Sequence, residues 1–298
     1  MTIEVKMIPI TTAFGDYKVW TERHGSHPTK RLLLLHGGPG MTHEYFRSFE
    51  TWFSDSDIEY IYYDQLGSHN SDNPADRKFW TIERFVDEVD QVRLALRLDS
   101  SNFFLLGHSW GGVLAMEYAL AHPEALKGLI ISNMMADCFA YQRYADEVLG
   151  PQMDPRVLAR IKELEAADQY TSEEYEALLV PHYEQHVLRR PMDQWPECVL
   201  NSLGNANQDL YVYMQGPSEF GISGVLATWD RSKDLKHIQT PALVIGAEND
   251  TMDPEYMKWM SEQLPNGSYL HCPKAGHMAM WDAPEVYHTG VREFIDRV

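Results

Sequence analysis

Asn102-Phe103-Phe104-Leu105-Leu106-Gly107-His108-Ser109-Trp110-Gly111-Gly112 is followed by Val113-Leu114-Ala115-Met116-Glu117-Tyr118-Ala119-Leu120. A short apolar run enters a glycine-flanked serine and an amphipathic run leaves it, which spells strand, tight turn, helix with a G-x-S-x-G pattern at the turn. So sharp a turn holds the serine in a strained backbone conformation, and its flanking positions admit little beyond glycine. The strain lifts the Ser109 hydroxyl to where a substrate and a histidine can both reach it, so Ser109 is the expected nucleophile. The pattern alone is weak. The strand before it and the helix after it give it weight.

Working outward, similar apolar runs recur. Residues 8–12 and 17–22 are rich in β-branched and aromatic residues, with a turn at 14–16, and read as an opening meander. Arg31-Leu32-Leu33-Leu34-Leu35 is a continuous apolar run, as in a strand covered on both faces. A helix is expected over 44–53, a strand over 58–63, and a helix over 81–98 with Phe85, Val86, Val89, Val92, Leu94 and Leu96 on its apolar side. Strands follow at 126–132, 242–246 and 268–272, and helices at 255–264 and 284–298. Alternation of this kind implies a mostly parallel sheet whose sites lie at the carboxyl ends of the strands. The loops there span 36–40, 64–68, 107–112, 247–253 and 273–277.

Between 133 and 231 the alternation stops, and the chain turns helical, aromatic and Met-rich. Asp154-Pro155 caps one helix, and Thr171-Ser172-Glu173-Glu174 fits a capping box for another. The expected organisation is a core of residues 1–132 and 232–298, with a helical cap of residues 133–231 roofing a site.

Bulk properties narrow the chemistry. A chain of 298 residues can hold a large core, and a formal net charge of −19 argues against nucleic acid and anionic membrane surfaces. Three scattered cysteines make neither a disulfide framework nor a zinc site, so no metal or cofactor is expected. Residues 1–6 lack a basic segment followed by an apolar one, so no signal peptide is expected, and no stretch approaches a membrane span. These features point to a soluble cytoplasmic protein.

A serine hydroxyl needs a base, and the base needs an orienting partner. Among thirteen histidines, His277 lies between the last strand and the last helix, at the carboxyl end of the sheet, and is the expected base. His108 should point elsewhere, His271 is expected to be buried or hydrogen-bonded within its strand, and His36 to hold the glycine loop beside it. The carboxylate should follow the preceding strand. Asp250 is favoured, Glu248 is the alternative, and Asp253 better suits a helix N-cap before Pro254. Two amide donors must face the oxyanion. Trp110, just after the nucleophile, supplies one, and Gly38 in His36-Gly37-Gly38-Pro39-Gly40 supplies the other because Pro39 has no N–H.

These motifs, together with Asp64-Gln65-Leu66-Gly67, resemble the proline iminopeptidases, α/β-hydrolase serine peptidases related to L-amino-acid amidases. The resemblance covers nearly the whole chain and implies an α/β-hydrolase fold with a helical cap insertion. It also implies a cap carboxylate, here Glu219 in Gly216-Pro217-Ser218-Glu219-Phe220, that binds the substrate's free α-ammonium group. Some relatives carry a second acid just after the catalytic Asp. Here Thr251 stands there, leaving either another cap acid or weaker amine binding. The expected activity is a serine aminopeptidase releasing N-terminal residues, proline preferred, from short peptides. An amino-acid amidase using the same triad is the alternative, and a carboxylesterase a further one that Glu219 disfavours. A non-catalytic binder is disfavoured by the intact triad, and dehalogenase or epoxide-hydrolase chemistry by the absence of Asp at position 109.

Overall fold

In a computed structural model, which describes residues 2–27 and 29–298, the apolar runs form one eight-stranded sheet. Its strands are β1 (Ile3–Thr12), β2 (Gly15–His24), β3 (Arg31–Leu35), β4 (Glu59–Asp64), β5 (Phe103–His108), β6 (Gly128–Ser132), β7 (Ala242–Ala247) and β8 (Gly267–Cys272), in spatial order β1-β2-β4-β3-β5-β6-β7-β8. β2 runs antiparallel to both its neighbours, and from β4 to β8 every pairing is parallel. Side chains alternate across this sheet. Leu33, Leu35, Leu105 and Ile131 enter one core layer, and Leu32, Leu34, Leu106 and Ile130 the other, which is why these strands read as unbroken apolar runs.

The helices of the core are α1 (Ser48–Phe53), α2 (Ile82–Leu96) and α3 (Trp110–Ala121) before the insertion. In the insertion lie α4 (Cys138–Tyr144), α5 (Pro155–Ala166), α6 (Glu173–His186), α7 (Glu197–Gly204) and α8 (Gln208–Met214), and after it α9 (Pro254–Gln263), α10 (Ala279–Asp282) and α11 (Pro284–Arg297). Through Phe85, Val89, Leu114, Met257 and Met260, helices α2, α3 and α9 cover one face of the sheet. Phe49, Phe53, Tyr287 and Phe294 bring α1 and α11 onto the other.

The insertion leaves the sheet after β6 and returns before β7. Its ends meet in a short neck, where Cys138 N–H donates to Trp229 O at 2.9 Å and Arg231 N–H to Ala136 O at 2.8 Å. It has a small core of its own, Ile161, Leu164, Tyr175 and Leu179, while Leu210, Met214 and Trp195 anchor it into the layers below.

Several local expectations are corrected. Leu94 is 59% exposed, because the helical period from Phe85 runs through Val89, Val92 and Leu96 and leaves position 94 on the far side. The helix expected over 44–53 is a 3-10 turn at His43–Arg47 followed by α1. Ser172, not Thr171, caps α6, accepting from Tyr175 N, so no Glu stands at the capping-box position. The first hairpin turns at Ala13-Phe14, with Gly15 already in β2. His271 is exposed because β8 is an edge strand covered less completely than its neighbours.

Candidate active site

The strand ends are level where the site forms. Leu35 pairs with Gly107, His108 with Ser132, and Ser132 with Ile245, so the loops after β3, β5, β6 and β7 emerge side by side. At the elbow Ser109 has φ 56° and ψ −125°, a conformation L-residues avoid, and is 7% exposed. A Cβ at Gly107 would lie 1.9 Å from Gly111 O, and one at Gly111 would lie 2.1 Å from Leu35 O. The turn closes only because both side chains are missing.

His277 Nδ1 lies 2.7 Å from Asp250 Oδ1. Asp250 is fully buried, and Met252 N–H (3.1 Å), the Thr251 hydroxyl (3.3 Å) and Asn133 Nδ2 (2.6 Å) also donate to its carboxylate, offsetting the water it loses. Because Nδ1 faces the acid, Nε2 is the nitrogen left for proton transfer. It is buried and makes no hydrogen bond among the described residues. Burial alone would push the His277 imidazolium down. The Asp250 charge and hydrogen bond, with the Glu219 charge beyond them, outweigh burial and raise its pKa above the ordinary 6.5. Glu248 is instead exposed and accepts from Lys274 N–H at 2.7 Å, and Asp253 caps α9 through Glu255 N–H at 3.0 Å.

The 36–40 loop passes directly over the elbow, so that a Cβ at Gly37 would lie 2.9 Å from Ser109 Cβ. Gly38 has φ 109° and precedes a cis Pro39. Gln65 ties this loop to the elbow. Its N–H donates to His36 Nε2 (3.1 Å), its side-chain amide to His36 O (3.0 Å), and its Oε1 accepts from the Trp110 indole (2.9 Å). Trp110 N is the first amide of α3, where helix geometry provides no internal acceptor.

A second buried chain joins the same loop to His277. Gly37 N–H donates to Tyr45 OH at 2.6 Å, Tyr45 OH donates to His108 Nδ1 at 3.1 Å, and His108 Nε2–H donates to His277 O at 2.9 Å. Burial pushes His108 down to about 3, so it stays neutral and keeps this single tautomer.

In the insertion, Glu219 Oε1 accepts from Tyr211 OH at 2.5 Å, and Tyr141 OH donates to Glu219 O at 3.0 Å. Burial, with the Glu219 charge adding to it, raises the pKa values of Tyr211, Tyr141 and Tyr183, so all three remain hydroxyl donors. Helix α6 connects Glu219 to the loops bearing His277 and Asp250. Its Tyr183 hydroxyl accepts from Glu219 N–H at 3.4 Å, while His186 O accepts from His277 N–H at 2.7 Å and His186 Nδ1 donates to Asn249 O at 2.9 Å.

The structure thus gathers His277 and Asp250 into a hydrogen-bonded pair, joined through His108 to the elbow and the 36–40 loop and through α6 to Glu219. Nothing in the sequence singles out Asn133, Tyr45 or His186 for the site, and Tyr211 reads there only as one of the aromatics of residues 133–231 that suit an ordinary core. Only Asn133 carries a local signal, as an Asn just after an apolar strand run, a residue type that tolerates the positive φ of 53° it adopts. Glu22, His24 and Glu50 lie close enough to hold a metal, but Arg47 pairs with both carboxylates, which makes them an ion-pair cluster.

The model of the α/β-hydrolase fold family matches residues 30–284. The chain is 50% identical to a proline iminopeptidase of Flavobacterium johnsoniae and 51% identical to one of Elizabethkingia meningoseptica, over 98% of each chain in both cases. Among solved structures, a proline iminopeptidase of Mycobacterium smegmatis is similar at a TM-score of 0.85 and 29% identity, covering 99% of this chain and 98% of that one.

Proposed function

The chain belongs to the proline iminopeptidase family of α/β hydrolases, and from that premise we propose that it is a serine aminopeptidase that releases N-terminal residues, proline preferred, from short peptides. Ser109 attacks the scissile carbonyl as His277 Nε2 takes its proton. Asp250 holds the imidazole and balances the charge it gains. Trp110 N–H and Gly38 N–H receive the oxyanion. His277 then protonates the leaving amine, and the acyl-enzyme on Ser109 is hydrolysed by a water that His277 activates. Residues 133–231 act as the cap that limits substrates to short chains.

One observation carries the exopeptidase reading over an esterase. A roof carboxylate, Glu219, is held by Tyr211 and is near enough for its charge to act on His277. We infer that a substrate's protonated N-terminal amine meets this carboxylate, with which it makes a charge-assisted hydrogen bond. Thr251 touches the triad itself, 3.3 Å from His277 Nδ1, and so supports the base instead of the amine. No helix among the described residues is long and apolar enough to cross a membrane. The three free cysteines support a cytoplasmic setting.

The test is a panel of prolyl- and other aminoacyl-naphthylamides, amino-acid amides and a p-nitrophenyl ester, assayed with wild type and Ser109→Ala. Prolyl-naphthylamide should be turned over fastest, and Ser109→Ala should abolish that turnover. Turnover surviving in Ser109→Ala would overturn the mechanism, and ester turnover with no aminoacyl turnover would overturn the substrate class.

A further inference from the structure

β1 is a free edge of the sheet, and its two halves differ. In an antiparallel pair the N–H and C=O of one residue point the same way, and the direction alternates along the strand. Thr2 O accepts from Gly25 N at 2.9 Å, so even-numbered residues of β1 turn toward β2. Ile3, Val5, Met7 and Thr11 therefore turn both N–H and C=O outward, and Pro9 its C=O alone.

The far half of that edge is closed. Gln91 takes both groups of Thr11, accepting from its N–H at 2.8 Å and donating to its carbonyl at 2.8 Å, and Pro9 has no N–H to offer. Among the described residues the near half has neither device. Ile3, Val5 and Met7, at alternate positions on one face, are 59%, 56% and 43% exposed. Soluble proteins normally blunt such an edge, because its open amides and apolar side chains template pairing with another strand.

We propose that residues 3–7 pair antiparallel with the same segment of a second copy of this chain, about a two-fold axis through Val5. The segment runs apolar, acidic, apolar, basic, apolar. With Val5 opposite Val5 of the second copy, the outward amides of Ile3 meet those of Met7, and Glu4 faces Lys6 across the junction in both directions. A two-fold at Glu4 or Lys6 would set like charges opposite each other, and one at Met7 would bring Val5 against Pro9. The Val5 register alone matches charge with charge and leaves Pro9 and the clamped Thr11 outside the pairing. Within one copy Glu4 is already bound by Lys6 at 2.9 Å and Arg23 at 3.8 Å, but the Glu4 and Lys6 side chains are 44% and 49% exposed and can exchange partners. The contact is isologous, so it closes at a dimer and does not propagate into a filament.

Analytical ultracentrifugation over a concentration series tests this, with near-UV circular dichroism and peptidase activity as checks on the fold. Wild type should move from monomer to dimer as concentration rises. Val5→Pro should abolish the dimer without unfolding the chain, because the Val5 amide makes no bond to β2. Glu4→Lys should weaken the dimer, and Glu4→Lys with Lys6→Glu should restore it. A wild type that stays monomeric throughout, or a dimer that Val5→Pro leaves intact, would overturn the proposal. A double swap that fails to restore the dimer would overturn its register.

Discussion

The elbow end of the sheet and the roof above it are built by different means. At the elbow, the loops after β3, β5, β6 and β7 are aligned by strand register, and buried hydrogen bonds brace this end of the sheet: Gln65 to His36 and Trp110, Tyr45 to Gly37 and His108, His108 to His277, Asn133 to Asp250. The roof has no sheet to align it. Glu219 is placed by hydroxyls from three helices, Tyr141 of α4, Tyr183 of α6 and Tyr211 of α8, and α6 alone also clamps the loops bearing Asp250 and His277. On the proposed function, chemistry is thus fixed by register, and substrate selection by helix packing. Changes at the elbow should strike kcat, and changes in the roof should strike discrimination between substrates.

The largest break should come at the acid. Asp250→Asn keeps the shape of the site but supplies His277 with the wrong hydrogen-bonding partner, and kcat should fall by about 10⁴-fold. Stopped-flow or progress-curve kinetics on prolyl-naphthylamide measures this, and KM should change little by comparison.

Next in size is the link between the oxyanion loop and the base. Tyr45→Phe leaves Gly37 N–H and His108 Nδ1 buried without their shared partner, which should cost about 1–3 kcal/mol. Thermal unfolding should show the loss as a lowered Tm. If the link also positions the oxyanion loop, kcat falls while KM holds. Unchanged Tm and kcat would mean the chain of bonds is dispensable.

The smallest effect is a shift in pH dependence. On the proposed mechanism His277 must be neutral to act, so activity should be lost as pH falls through its pKa, which is raised above the ordinary 6.5. Glu219 is one cause of that elevation, so Glu219→Gln lowers the pKa and moves the acidic limb of kcat/KM to lower pH. An N-blocked ester is the substrate to use, because it carries no amine that titrates. A limb that does not move would show that the roof charge is not felt at the base.

Much of the elbow was legible because its signals are local. Continuous apolar runs mark strands buried on both faces, and glycines mark close backbone approach. The order serine, acid, histidine places each group after a strand. Asp250 could be favoured over Glu248 and Asp253, and the structure gives those two acids other work. What escaped lies in contacts between distant parts of the chain. Asn133 meets Asp250 across 117 residues and Tyr45 meets His108 across 63, and no periodicity announces either. Leu94 and His271 were misread for the opposite reason, since an apolar or strand position is buried only if some element comes to cover it. In the roof, Glu219 was reached through its resemblance to a family motif, and the tyrosines that hold it carry no local mark.

The division of labour between elbow and roof is tested most directly by the substrate selectivity of Glu219→Gln. The kcat/KM of prolyl-naphthylamide and of an N-blocked p-nitrophenyl ester should be compared on the pH plateau, in wild type and variant. Removing the charge should cost the free-amine substrate about 100-fold, or ~2.7 kcal/mol, and leave the blocked ester within about twofold. Equal losses on both substrates would contradict the account, because Glu219 would then serve the catalytic machinery and the amine would be read elsewhere.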